Sequence, residues 1–132
     1  MFFVNLLQAN LKTRLLGNKI TYYSTTTSTN DDIWSLWKEG AKEGHVVVSD
    51  HQTKGRGQRN NTWHSIPGHG ILCSFILLEK FSRKLFGMHS ILIPIGIIRG
   101  IEKLVNINLS VKWPNDIYFK NKKIGGILIE SK

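Results

Sequence analysis

Three short segments of this 132-residue chain concentrate the side chains that could do chemistry. The first is Gln52-Thr53-Lys54-Gly55-Arg56-Gly57-Gln58-Arg59, closed at its far end by Trp63. Gly55 and Gly57 permit either a close approach of backbone to a ligand or a turn through positive φ. Lys54, Arg56 and Arg59 stand between and beside them as donors suited to phosphate or carboxylate, and Trp63 offers a face for a planar ring. A mobile basic loop with Trp63 tucked into the core fits the same residues. The third glycine of a dinucleotide fingerprint is missing, and the spacing is not that of a Walker A loop.

The second segment is Lys112-Trp113-Pro114-Asn115-Asp116. Pro114 biases Trp113 towards extended backbone, which fixes Lys112 at the end of a strand. Asn115 and Asp116 are placed to close an Asx-type turn beneath it. A lysine held in this way is a point charge for an anionic transition state, and a strand-ending turn with an exposed lysine fits equally well. The third segment is Lys123-Ile124-Gly125-Gly126-Ile127-Leu128, where two glycines interrupt an apolar strand. Either a ligand or a β-bulge accounts for them.

The remaining reactive side chains organise less well. His45, His51, His64, His69 and His89 show no zinc spacing with carboxylates or with Cys73, so no metal site is expected from protein ligands. Cys73 falls in an apolar stretch that reads as a buried strand, which makes it core.

The elements that must position these segments follow from periodicity. Phe3 to Leu16 carries apolar residues near helical spacing and ends at Gly17-Asn18. Ile20 to Tyr23 reads as a strand. Ser28-Thr29-Asn30-Asp31 reads as a helix start with Ser28 as cap, and Ile33, Trp34, Leu36 and Trp37 supply the apolar face up to a stop at Gly44. Val46 to Ser49 and Ile71 to Leu78 read as strands on either side of the polar stretch from His51 to His69. Leu85 to Val105 is helical, with Pro94 kinking it or marking its start. Leu109 to Lys112, Ile117 to Phe119 and Ile124 to Ile129 complete the strands, the last two joined by a turn over Lys120 to Lys123. The class is α+β (mixed α/β), a mixed β-sheet flanked by helices, in a single domain.

Composition narrows the class of function. Hydrophobic residues are 41% and charged residues 20% of the chain, ordinary globular usage that excludes disorder, collagen and coiled coil. No apolar run reaches the ~18 residues of a membrane span, and the amino terminus reads as an amphipathic helix, not a signal peptide. One cysteine cannot form an internal disulfide, which points to a reducing, cytoplasmic setting. Lysine and arginine number 18 against 9 acids, a net charge of +9 that favours an anionic partner. The cations are spread out, densest at Lys54-Arg56-Arg59, Arg83-Lys84 and Lys120-Lys122-Lys123, without a recognisable nucleic-acid motif.

Taken together, Ser28-Thr29-Asn30, Gln52 with Gly55-Arg56-Gly57 through Trp63, Lys112-Trp113-Pro114-Asn115-Asp116 and Lys123-Ile124-Gly125-Gly126-Ile127-Leu128 resemble biotin protein ligase, in that family's order and at its approximate spacing. The resemblance runs from about Ile20 to Glu130. It implies a fold akin to the catalytic domain of class II aminoacyl-tRNA synthetases, activation of biotin with ATP and Mg2+ to biotinyl-AMP, and transfer of biotin to a lysine of a biotin carboxyl carrier domain of a carboxylase. By resemblance Ser28, Thr29, Asn30 and Gln52 line the pocket for the ureido ring. Gly55, Arg56, Gly57 and Gln58 form the loop that closes over the adenylate, with Arg56 also counted catalytic. Trp63 lies near the adenine, catalytic Lys112 faces the carboxylate and α-phosphate, and Lys123 and Gly126 complete the substrate site.

The loop departs from the family's pattern at Asn60 and Asn61, where a glycine and often an arginine stand; Asn60 tolerates left-handed backbone, while a cation is lost at 61. The resemblance implies that residues 1–132 form one incomplete catalytic domain, with neither an N-terminal DNA-binding domain nor a C-terminal SH3-like domain. A membrane partner is not expected, nucleic acid is disfavoured, and a homodimer is left open. The competing readings are a lipoate or octanoate transferase of the same fold and a basic nucleic-acid-binding module.

Overall fold

The computed structural model describes residues 4–78 and 86–131. The Arg83-Lys84 pair, Leu85 and Lys132 lie outside them, as do residues 1–3. The described residues fall into two compact units, 4–56 with 60–78 and 57–59 with 86–131.

The first unit opens with helix α1 (Val4–Asn10), shorter than its apolar spacing predicts. Asn10 turns its amide back onto the Leu6 carbonyl at 2.8 Å, and beyond it the Leu11 side chain packs onto Gly17, where a Cβ would stand 2.6 Å from Leu11 Cδ1. Strand β1 (Lys19–Tyr23), helix α2 (Thr29–Lys38) and strand β2 (His45–Ser49) form a β-α-β unit in which the two strands run parallel, Ile20 opposite Val46 and Tyr22 opposite Val48. The helix stops at Gly40, which takes φ 96° just past the Glu39 cap, earlier than the predicted stop at Gly44. Gly44 instead makes the entry to β2, where its own Cβ would meet the Leu15 carbonyl oxygen at 2.1 Å.

Two short strands, β3 (Gly55–Arg56) and β4 (Thr62–Trp63), pair antiparallel inside the polar stretch. Strand β5 (Leu72–Phe75) then pairs antiparallel with β2, giving a mixed sheet in the order β1-β2-β5. The core lies where α2 packs on β2 and β5, with Ile33 and Val47 buried, while Val48 is buried on the opposite face of the sheet. Cys73 alternates to the outer face of β5 and is exposed, so the expectation of a core cysteine is corrected.

The second unit holds helix α3 (Phe86–Glu102) and a three-stranded antiparallel meander, β6 (Leu109–Lys112), β7 (Asp116–Phe119) and β8 (Lys122–Gly126). Pro94 sits inside α3 and is fully buried; the helix continues through it. Register puts Leu109, Val111, Ile117 and Phe119 on one sheet face, against which α3 packs. The turn between β7 and β8 is tighter than predicted, Lys120 and Asn121 alone, with Lys120 at φ 52°. Among the described residues no helix is long and apolar enough to cross a membrane.

Candidate active site

Side chains just past the carboxyl ends of two adjacent parallel strands are brought together by the sheet itself. β1 leads into Ser28-Thr29-Asn30 and β2 leads into Gln52, and the strand pairing is prolonged beyond both by a parallel bridge between Thr26 and Gln52. Backbone hydrogen bonds continue the seam: Thr26 N–H to His51 O at 3.0 Å, Thr53 N–H to Thr26 O at 2.9 Å and Lys54 N–H to Thr27 O at 2.8 Å.

Ser28 occupies the predicted cap of α2 with extended backbone, φ −161° and ψ 128°, but its side chain makes no capping bond. The first helical amide, Thr29 N–H, is satisfied from elsewhere: it donates to Gln52 Oε1 at 2.7 Å. A helix start leaves such amides without internal partners, so Gln52 caps α2 across 23 residues of sequence. The Thr29 hydroxyl stands 2.9 Å from the same Oε1 and 2.8 Å from Ser74 Oγ. Its one proton serves either, while Ser74 donates to Asn30 Oδ1. Ser28, Thr29 and Ser74 are all buried. The result is a network of neutral donors and acceptors, fixed in place and shielded from water. Ser74 is the member that sequence spacing misses, because only the β2–β5 pairing carries it to Thr29.

The loop beyond Gln52 is anchored on both sides. Gln52 N–H donates to Ser65 Oγ at 3.1 Å, and Ser65 Oγ lies 3.2 Å from His51 Nδ1. Gly55 is paired with Trp63, and a Cβ there would stand 2.6 Å from the Trp63 carbonyl oxygen and 2.8 Å from Gln52 Nε2. The reason for a glycine here is neither a ligand nor a turn through positive φ but the close packing of the backbone on Trp63 and Gln52. Gly57 and Gln58 lead into a short turn in which Arg59 and Asn60 take φ 55° and 63°. Asn60 adopts the left-handed backbone expected of it, and Arg59 does so beside it. Trp63 is half-buried. Arg56 leans back to α2, with Nη1 2.8 Å from Asp31 Oδ1. Both groups are exposed, and such a pair stabilises a fold by only ~0–1 kcal/mol.

In the second unit the sheet face turned away from α3 carries Ser110, Lys112, Asp116, Tyr118 and Lys123. Lys112 ends β6, as predicted; it stands directly opposite Asp116, and its Nζ lies 5.2 Å from the Tyr118 ring centroid. Lys123 Nζ is 2.8 Å from Asp116 Oδ1. Gly126 pairs with Asp116. The predicted Asx turn is not what Asn115 makes: its Nδ2 donates to Ile127 O at 2.7 Å, and Ile127 N–H returns to Asn115 O at 2.9 Å. That reciprocal pair clamps the Lys112–Asp116 corner to the end of β8. The Trp113–Pro114 peptide is cis. The register shift between Ile117 and Tyr118 leaves Ile124 as the extra residue of a bulge beside Gly125, where a Cβ would make only ordinary contact with Ile117.

Among the described residues no group of three or more His, Cys, Asp and Glu side chains could hold a metal ion. Fixed neutral hydroxyls and amides suit an uncharged polar ring, and lysines on an open face suit phosphate or carboxylate. Each unit thus carries binding groups of its own, neutral in the first and cationic in the second.

Comparison with known proteins supplies the class. Residues 22–132 match the biotin/lipoate A/B protein ligase family, and the chain belongs to it. It is 37% identical over 120 residues to the bifunctional ligase/repressor BirA of Bacillus subtilis, covering 91% of this chain and 37% of that protein. The biotin protein ligase of Aquifex aeolicus in complex with biotin and ATP superposes with a TM-score of 0.75 at 31% identity, over 86% of this chain and 47% of that one. The biotin protein ligase of Leishmania major in complex with biotinyl-5-AMP gives a TM-score of 0.77 at 25% identity, over 87% and 53%. The chain spans little more than a third of the Bacillus relative it matches, and its α+β architecture is that of biotin protein ligase catalytic domains.

Proposed function

We propose that this chain carries the biotin-activating part of a biotin protein ligase and that both units belong to one catalytic domain. The carboxylate oxygen of biotin attacks the α-phosphorus of MgATP, releasing pyrophosphate and forming biotinyl-AMP. A lysine amine of a biotin carboxyl carrier domain then attacks the acyl carbon, and AMP leaves. The observation that carries this reading is the neutral network of Thr29, Gln52, Ser74 and Asn30, buried at Thr29 and Ser74 and half-buried at the other two. A urea ring offers one carbonyl and two N–H groups and no charge, and such a network matches it without desolvating an ion.

Within this reading Ser28, Thr29, Asn30 and Gln52 hold the ureido ring, and Gly55, Arg56, Gly57 and Gln58 cover the adenylate and exclude water from the mixed anhydride. Trp63 lies by the adenine, Gly126 lends room, and Lys112 and Lys123 oppose the charge that gathers where carboxylate meets α-phosphate.

Calorimetry with biotin, with lipoate and with RNA over a range of salt concentrations tests the assignment. Saturable biotin binding with little salt dependence is expected. Preference for lipoate would move the chain to the other branch of its family, and a steep salt slope with RNA as the best ligand would overturn the enzyme reading.

A further inference from the structure

The hydrogen bonds of Thr53 and Lys54 to Thr26 and Thr27 fix the backbone leading to Arg56 relative to the start of α2. The pairing of Arg56 with Thr62 fixes it from the other side. What the backbone leaves undecided is the direction of a long side chain. Asp31 in the first turn of α2 holds it at one nitrogen, through the 2.8 Å contact with Arg56 Nη1. Asp31 lies in the same first turn as Thr29 and Asn30, so a guanidinium drawn to it is held at the amino end of α2. The adjacent acid, Asp32, has a different partner, accepting from Thr26 Oγ1 at 2.7 Å. The two acids of one helical turn therefore differ in task, although both complement the helix dipole.

From this geometry we infer that Asp31 is a positioning residue for Arg56: it holds the guanidinium at the rim of the Thr29–Gln52 network, ready for the anionic end of the ligand. The inference rests on the biotin reading above. A fixed guanidinium gives up less side-chain entropy on binding than one that must be ordered by the ligand.

The test uses the intact chain and three variants, Asp31→Asn, Asp31→Glu and Asp32→Asn. Trypsin cleaves after Arg56 only when that side chain enters the protease, and cleavage after Arg59 serves as the internal reference. Asp31→Asn should raise the Arg56-to-Arg59 cleavage ratio and weaken biotin binding, each about two- to fivefold, the range of an exposed ion pair. Asp31→Glu should restore both, and Asp32→Asn, which removes the same helix-start charge, should leave the ratio unmoved. An unchanged ratio in Asp31→Asn overturns the inference. So does unchanged or tighter biotin binding, since tighter binding would make Asp31 a competitor of the ligand. Failure of the unmodified chain to bind biotin overturns the functional reading by itself, while the cleavage ratio still decides whether Asp31 directs Arg56.

Discussion

The Thr29–Gln52–Ser74 network and the Lys112–Asp116–Lys123 face solve opposite problems. The first is neutral and buried at Thr29 and Ser74, and each of its members is held by another. The second is open, with Lys112 exposed and Lys123 at 2.8 Å from its acid. Recognition of an uncharged ring gains from groups that cannot move and need not be desolvated anew. Stabilisation of a charge that appears only during reaction gains from cations placed on a rigid sheet but not yet committed to a ligand. On the proposed function the contrast would separate binding from acceleration, and it can be tested at both ends.

The largest effect should come from the charged face. Lys112→Ala and Lys123→Ala should each slow biotin-dependent exchange of pyrophosphate into ATP about 100-fold, the scale of one lost transition-state donor, with a far smaller change in biotin affinity. Loss of affinity equal to the loss of rate would erase the division. Next comes the packing that supports the neutral site. Gly55→Ala forces a methyl to 2.6 Å from a backbone oxygen, and denaturant unfolding should show a cost of about 2 kcal/mol, as overpacking does. Thr29→Val keeps the shape but removes the hydroxyl from Gln52 and Ser74; about 1–2 kcal/mol of stability should go with it, and biotin should bind more weakly. A Thr29→Val chain with wild-type affinity would show that the network is scaffolding only.

The smallest effect concerns pH. His45 is buried, with Nε2 2.8 Å from Thr21 Oγ1, and burial first, then the charge of Lys19, holds its pKa below the ordinary 6.5. On acidification the unfolded chain takes up this proton before the folded one, so stability is level above 6.5 and falls as pH drops from there through the lowered folded value. Melting temperatures between about pH 8 and about pH 5 should show it as a difference between wild type and His45→Gln. No difference would mean that the imidazole is not held neutral.

How much of this was legible depends on the distance over which each contact acts. Lys112 at a strand end, the α2 start at Ser28 and the left-handed Asn60 all follow from local chemistry, and the structure has them where the residues predict. The bulge at Gly125 was one of two local options. Ser74 and the capping role of Gln52 were not readable, because nothing within a few residues marks them; β2–β5 pairing and the Thr26–Gln52 bridge create them. Asn115 was not readable for the same reason, since its side chain is oriented by a partner twelve residues on, Nδ2 donating to Ile127 O. Cys73 was misplaced because an apolar run does not say which alternate residues face outward, and in β5 the buried one is Ser74. The helix α1 was overestimated because a leucine spacing cannot announce that Leu11 will leave the helix for Gly17.

The bond between Thr29 and Ser74 closes across 45 residues, whereas β6, β7 and β8 lie within a single stretch, Leu109–Gly126. Local contacts form quickly and distant ones must first pay loop-closure entropy. During synthesis, then, α2 emerges before the residues that complete its amino end, and the Thr29 hydroxyl waits for β5 to be made. The meander has no such delay. The pocket should be the slowest part of the first unit to mature, and the lysine-bearing sheet should be ordered soon after its last strand is free to pair.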